Sequence, residues 1–440
     1  MAIAANSTPP DDSRTVVPSR VPASLFELFY GLFVTIFLLA GRWSPERLDG
    51  AENTMGFLLE PRFWCCVILM VCSLVNVVTS MRPRPVFQGK DSYLHVFSLS
   101  FLAYFAFTAN WGPNIWLATD KAVEMGMLIC VILSTWVMSC SADMRAVWGA
   151  VCYSFMVMMS PLAILGLSSF DGSRVAVLGG GPNVFARNLA ILLFVLTMFA
   201  DMRKTWKLTA YLALSGLCLL LIVASGSRGA LAALLGATLL VLIHDYRRFI
   251  INMIGLCTLG VAAFGILSAT GHTARIIEMF ERRVISNTVE KQNMSGRDAI
   301  YETAYNIGLD NFWFGAGLNG YKAITDASYP HNIFLEAFAE GGIVGVLLLG
   351  AFVVVIIGAA VGSRNLTERL GGGVVVIVLL AAQFSGDMYD SRCVFALGVL
   401  YVLSVQHQRA LERMEAYRAR RAKTIRPAPV LRYPDRLGAA

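Results

Sequence analysis

Three side chains carry the chemistry that this sequence suggests. Arg228 lies in Ser225-Gly226-Ser227-Arg228-Gly229, a turn between two apolar runs. Arg297 lies in Ser295-Gly296-Arg297-Asp298 and His331 in Pro330-His331-Asn332, both within one long hydrophilic stretch of an otherwise apolar chain. Charge beside lipid is costly and usually kept for function. A guanidinium stays protonated and binds phosphate bidentately. Two arginines and an imidazole gathered on one membrane face therefore predict a site for an anionic headgroup, most simply a diphosphate.

These residues need elements to hold them, and composition says which kind. Charged residues make up 15% of the chain and mean hydropathy is +0.62, against roughly 25% charged in soluble domains. The chain reads as all-α and polytopic in a membrane. The net charge of +7 reads as orientation rather than nucleic-acid binding, because nine basic residues fall between Arg409 and Arg436. The nine cysteines, at 65, 66, 72, 130, 140, 152, 218, 257 and 393, lie in or beside apolar runs without metal-like spacing. They read as small core or lipid-facing residues. The first apolar run follows a polar, proline-containing segment with no convincing cleavage site, so no secretory signal is expected.

A spanning helix needs roughly 20 apolar residues. About 12 candidates follow, near 24–40, 62–80, 93–109, 121–140, 144–166, 184–201, 205–224, 229–244, 247–267, 333–361, 373–388 and 392–408. The division is 1–23 as an N-terminal segment, 24–267 as spans one to nine, 268–332 as a helical loop domain, 333–408 as spans ten to twelve, and 409–440 as a basic tail. With the N-terminus in the cytoplasm, cytoplasmic loops hold eleven basic residues and the opposite short loops eight, Lys121 counted among the eight, before the tail is added. Both termini are then cytoplasmic. Arg228, the 268–332 loop and the Gly386–Arg392 turn face outside, which in a bacterium is the periplasm.

The long loop reads as ordered. One helix is expected near 272–288. A second is expected to be capped by Ser295 with Asp298 at its third position, with Ile300, Ala304 and Ile307 forming an apolar stripe that rests on the bilayer face, and with Gly308 ending it. Gly315-Ala316-Gly317-Leu318-Asn319-Gly320 fits G-x-G-x-x-G, but no strand precedes it, so a tight glycine turn is expected rather than a dinucleotide site. Gly341, Gly342, Gly345 and Gly350 are expected to allow close helix packing.

Taken in order, Ser225-Gly226-Ser227-Arg228-Gly229-Ala230, then Gly296-Arg297-Asp298 with Phe314-Gly315-Ala316-Gly317, then His331-Asn332-Ile333-Phe334-Leu335-Glu336 running into Glu340-Gly341-Gly342-Ile343-Val344-Gly345, resemble the O-antigen ligase family. O-antigen polymerases and pilin oligosaccharyltransferases belong to the same superfamily. The resemblance is concentrated between about 220 and 350. It implies a glycosyltransferase of the inner membrane that moves a polysaccharide from undecaprenyl diphosphate to a lipid A-core sugar, in lipopolysaccharide biosynthesis. It also implies an inverting, metal-independent reaction at the periplasmic face, with Arg228, Arg297 and His331 essential.

The residues suit that chemistry. Breaking a glycosyl bond to diphosphate leaves charge on the departing oxygens, and two arginines would stabilise it. Arg228 stands at a helix start, where amides and dipole favour anions. The acceptor hydroxyl must lose a proton, and His331 before a helix is a candidate base. A nearby diphosphate would favour the cation, so a protonated, phosphate-binding His331 stays open. Plain alternatives are a snorkelling Arg228, a solvated Arg297 beside Asp298, and an Asn332/His331 helix cap. Arg187, Ser227 and Asn332 are further candidates for the diphosphate. Asp387 and Asp390 either orient an arginine or the acceptor, or form an ordinary turn. No metal or cofactor is expected, since the aspartates are scattered without Asp-x-Asp. Partners implied are the lipid-linked O-antigen donor, the lipid A-core acceptor and membrane lipid, with no nucleic acid. A polymerase or pilin glycosylating enzyme is the alternative. A lipid-linked glycan transporter is the non-enzyme alternative, but it would carry polar residues near mid-bilayer, where this sequence has few.

Overall fold

A computed structural model describes residues 24–40, 60–80, 92–168, 175–177, 181–200, 204–244, 246, 250, 254, 265, 297–325 and 327–424. Among them, every regular element is a helix. These are α1 (Leu25–Leu39), α2 (Pro61–Thr79), α3 (Ser92–Thr108) with a 3₁₀ turn (Ala109–Trp111), α4 (Ile115–Ser139), α5 (Met144–Ser168), α6 (Pro182–Phe199), α7 (Thr205–Ala224), α8 (Arg228–His244), α9 (Arg297–Asp310), α10 (Gly320–Thr325), α11 (Ile333–Val361), α12 (Leu366–Ala381) and α13 (Arg392–Thr424).

Local signals account for the helix starts. Ser24 and Glu27 form a reciprocal capping box on α1. Pro61 and Pro182 occupy first turns, where a missing N–H costs nothing. Asn114, Asn332 and Asn365 cap α4, α11 and α12 with their side-chain oxygens. Among the described residues six helices, α2, α4, α5, α6, α7 and α11, are long and apolar enough to cross a bilayer. The other expected spans are helical but include α1, α3, α8 and α12 at 15 to 17 residues. Of the 247–267 span, only Ile250, Ile254 and Gly265 are described, each helical. The 272–288 helix, the Ser295 cap and Cys257 lie outside the described residues.

Lipid tails are as apolar as leucine, so packing rather than water release must join such helices. Phe395 of α13 stacks on Phe101 of α3 at 5.4 Å and on Phe352 of α11 at 5.3 Å. A Cβ on Gly31 of α1 would stand 2.6 Å from the Ala150 backbone of α5, so only glycine allows that approach. The Tyr30 hydroxyl meets Ser134 and Thr135 of α4 at 2.9 and 2.8 Å.

Contacts sort the described helix ends into two groups. At one end Arg392 donates to three carbonyls at the end of α1, those of Phe37, Leu38 and Ala40. There too Ile333 N–H donates to Ala382 O at 3.2 Å, and Leu318 N–H to Thr108 O at 3.4 Å. At the other end Asp143 N–H donates to Glu27 Oε1 at 3.2 Å, Asn76 to Ser141 at 2.6 Å, and Arg145 to Gln408 at 2.8 Å.

Several expectations are corrected. Helix α4 begins at 115, not 121, so Lys121 is a buried helical residue and not a loop charge. Helix α12 covers 366–381 rather than 373–388, because Asn365 caps it and Glu368 and Arg369 sit in its first turn instead of a loop. Helix α13 runs on to Thr424, well past 408. Helix α9 does carry an apolar stripe, but Ala304 and Ile307 pack against Ala339, with Leu335 alongside, on α11 rather than on the bilayer face. Gly308 does not end α9. It lies within the helix, where a Cβ would fall 2.2 Å from the Phe338 ring.

The largest surprise is α11. It breaks at Gly342 (φ 62°, ψ −160°), a conformation open essentially to glycine alone. An unbroken helix would pair Ile343 N–H with Ala339 O and Val344 N–H with Glu340 O. Instead these groups exchange partners with the glycine loop. Ala316 and Gly317 donate to Ala339 O and Glu340 O at 2.8 and 3.0 Å, while Phe312 O and Trp313 O accept from Ile343 and Val344 at 2.8 and 3.5 Å. The expected glycine turn is present, with φ of 71° at Gly315 and 88° at Gly317. It is a brace for the break in α11. Gly341 and Gly345 do allow close packing, on Phe105, but a Cβ on Gly350 would meet nothing within 4 Å.

Candidate active site

The three principal residues stand on three elements that meet one turn, 382–384. Gly229, next to Arg228, approaches Phe384 so closely that a Cβ would fall 2.8 Å from the phenylalanine Cβ. Tyr301, one turn after Arg297, donates its hydroxyl to Gln383 O at 3.4 Å. Ile333, two residues after His331, donates to Ala382 O. The ends of α8, α9 and α11 are thereby gathered at the C-terminus of α12.

Arg228 is half-buried at the start of α8. Gly226 (φ 61°) turns the chain there, Ser227 N–H donates to Ser225 Oγ at 3.2 Å, and Ser227 Oγ accepts from Ala230 N–H at 3.4 Å. Ser227 is thus buried and caps α8. Asn332 has the matching task on α11, where its Oδ1 accepts from Phe334 and Leu335 at 3.0 and 3.1 Å. Both side chains give an oxygen to helix amides, so their first role is to fix the neighbouring Arg228 and His331.

His331 has φ 60°, left-handed for a non-glycine residue. Such strain costs on the order of 1–3 kcal/mol and concentrates at functional sites. Its ring meets Tyr329 edge-on at 4.6 Å, and its buried Nδ1 has no hydrogen-bond partner among the described residues. Burial, and then the charge of Arg297, lower its pKa below the ordinary histidine value. The second cause makes Arg297 and His331 electrostatic neighbours. Both causes favour the neutral imidazole, the form that can accept a proton.

Arg187 and the two aspartates form a separate group. Arg187 is 6% exposed and reaches only the Asp390 carbonyl, at 3.5 Å, with Nε unpartnered among the described residues. Asp387 Oδ1 accepts from Asp390 N–H at 2.6 Å, closing the turn that Gly386 (φ 83°) begins. Burial pushes the Tyr389 hydroxyl in this turn up to about 12. Its ring lies between Arg62 and Arg392, at 5.0 and 5.1 Å.

A buried ionic group escaped the sequence reading. Lys121 bonds Glu336 and Glu340, one turn apart on α11. Both glutamates stand inside the His331–Gly345 motif, and charge at i and i+4 within an apolar run was the available signal. Among the described residues, no group of three or more His, Cys, Asp or Glu is arranged to hold a metal ion.

No curated protein matches this chain. Residues 210–350 match the family described as O-antigen ligase. That segment holds most of α7, all of α8, α9 and α10, and α11 past its break, and so contains Arg228, Arg297 and His331. The match covers about a third of the chain and likens that segment to the O-antigen ligase superfamily.

Proposed function

We propose that this chain is a glycosyltransferase that moves O-antigen polysaccharide from undecaprenyl diphosphate to a sugar hydroxyl of lipid A-core. It acts at the periplasmic face of a Gram-negative inner membrane, with both termini in the cytoplasm. The coarser statement, a helical membrane protein of a superfamily with lipid-linked polysaccharide substrates, rests on the family match and the apolar helices. The observation that carries the finer reading is the left-handed backbone of His331 (φ 60°) at the head of α11, with α8, α9 and α11 meeting one turn inside or beside the matching segment.

The reaction is a single displacement without a metal. The acceptor oxygen attacks the anomeric carbon opposite the diphosphate and inverts it. The carbon–oxygen bond to phosphate breaks, and its electron pair leaves on the diphosphate. His331 takes the acceptor proton. Arg228 and Arg297 hold the charge that accumulates on the phosphate oxygens, a task for which lysine lacks the planar fork.

His331→Ala should lower transfer by about 10²–10⁴-fold, the usual contribution of a positioned base, while the protein still inserts. Full activity of purified His331→Ala with lipid-linked donor and core acceptor rules the base out. A deletion strain separates ligase from polymerase on a lipopolysaccharide gel. Loss of all long chains over intact core, with accumulation of lipid-linked polymer, is the ligase result. A core bearing a single repeat is the polymerase result.

A further inference from the structure

The buried ionic group has no part in the reaction as written. Lys121, near the start of α4, is 4% exposed. It donates to Glu336 Oε1 and, at 3.3 Å, to Glu340 Oε2. Glu340 also accepts the backbone N–H of Asn319 in the glycine loop. Asp387 lies in the electrostatic field of all three. Stability does not account for such a group. Well-packed apolar residues of similar volume are often as good or better, because desolvating charge costs so much.

Geometry does account for it. The break at Gly342 frees residues 333–341 from the hydrogen-bond ladder of the remaining α11. Something else must set the angle of that segment. Ala382 O holds its first residue. The Tyr104 hydroxyl, from α3, holds its last at Gly341 O, at 2.7 Å. Between them α9 packs on Phe338 and Ala339 and the glycine loop takes the carbonyls of Ala339 and Glu340, while Lys121 reaches in from α4 and grips two side chains one turn apart. Two points on one face resist rotation about the helix axis, which the end contacts alone do not. Any rotation of 333–341 swings His331, since Asn332 caps this segment and joins it directly to the histidine.

We infer that Lys121, with Glu336 and Glu340, is a positioning device that sets the rotation of the 333–341 segment and so aims the His331 imidazole beside Arg297. Its effect on catalysis rests on the base role of His331 proposed above. Its effect on the surroundings of His331 does not.

The test uses the full-length protein, purified and reconstituted in lipid. Lys121→Met alone strands two carboxylates in the interior, so the informative variant is the neutral triple, Lys121→Met/Glu336→Gln/Glu340→Gln. Two readouts are needed. One is kcat and KM for the lipid-linked donor. The other is labelling of His331 by diethyl pyrocarbonate across pH, followed by mass spectrometry of its peptide, which needs no turnover. The triple variant should melt near the wild type, since apolar or neutral replacement of a buried ion group is commonly tolerated. Its kcat should fall about tenfold or more, as misplacement of a reacting group predicts, with KM within about threefold. The His331 labelling midpoint should move by about half a pH unit or more as its surroundings change. A folded triple variant with wild-type kcat and an unmoved midpoint overturns the inference and leaves only packing. If His331→Ala is active, the base role fails, yet the labelling midpoint still decides whether Lys121 governs that imidazole. Should the triple variant not fold, Glu340→Gln, which retains the Lys121–Glu336 pair, takes its place. A smaller move in both readouts supports the device, and no move in either overturns it.

Discussion

The two ends of the helical bundle use the same residue types in opposite ways. At the end away from the candidate site, charges meet their opposites near water. Arg145 bonds Asp143 at 2.7 Å, His407 approaches the same carboxylate at 3.5 Å, and Arg364 pairs with Glu412 at 3.4 Å. Burial alone would raise the Asp143 pKa, but hydrogen bonds from Arg145 and the charge of His407 hold it below the usual carboxylate range. At the site end, Arg62 pairs with Glu60 and, at 3.6 Å, with Glu124, but the deeper charges are compensated poorly. Arg187 has a carbonyl for company, Arg392 has three, and one lysine serves two glutamates. His331 is pushed down by burial and by a like charge instead of being steadied by an opposite one. Charges that anchor helix ends can stay wet. Charges that must hold a fixed direction cannot, and the fold bears their desolvation penalty for that reason.

The strongest way to break this contrast is at the backbone of the site end. A Cβ on Gly342 would lie 2.5 Å from Trp313 C and 2.6 Å from Gly315 N, at a φ/ψ that side chains avoid. Gly342→Ala should destabilise the protein by about 3 kcal/mol or more and abolish transfer, because the loop brace and the 333–341 segment shift together. Gly350→Ala, in the same helix with nothing within 4 Å of the new carbon, should change stability by less than about 1 kcal/mol. Thermal unfolding in detergent compares the two. Equal tolerance would mean that α11 can run straight and that the rigid site end is not needed.

The unequal treatment of these glycines also shows where the sequence was readable. Apolar runs of spanning length foretold nearly every long helix, because bilayer thickness sets that length. The motifs around Arg228, Arg297 and His331 lie on helices that meet the 382–384 turn. Gly341-Gly342 inside an apolar run reads as packing, however, and nothing local distinguishes a glycine that breaks a helix from one that lets a neighbour approach. Lys121 was misplaced for a related reason. Counting loop charges puts every cation outside the helix, whereas its two carboxylate partners lie more than 200 residues away in the chain. Glu336 and Glu340 at i and i+4 are a local sign of buried charge, but nothing local names Lys121 as their partner, because tertiary structure sets pairings of that range.

A milder prediction sharpens the electrostatic half of the contrast. His331 has a folded pKa below its ordinary 6.5, so protonation of the folded protein is resisted. The unfolded chain takes the proton more readily, and His331 therefore lowers stability as pH falls below about 6.5. The neutral base survives until pH drops through the depressed folded value. Arg297→Gln removes the second cause of that depression and leaves burial, the larger one. The acid limb of kcat/KM should then move toward higher pH, by less than its full distance from 6.5, on top of the loss that the proposed diphosphate contact predicts. An acid limb that stays in place would mean that Arg297 does not act on the imidazole, and the two residues would no longer form one site.

The smallest effect belongs to the far end. Arg364 and Glu412 are 68% and 39% exposed and 3.4 Å apart. Water and salt screen such a pair, and holding two long side chains together costs entropy, so it contributes at most about 1 kcal/mol. Arg364→Ala should leave transfer unchanged, shift unfolding by no more than about 0.5 kcal/mol, and lose even that in high salt. The same substitution removes a cation from the positive loop between α11 and α12, so its second readout is orientation, by labelling of single cysteines at either end of the bundle. One loop charge among many should not invert the protein. A fall in transfer with orientation intact would carry the sensitivity of the site to the opposite membrane face, and the division of labour between the two ends would have to be given up.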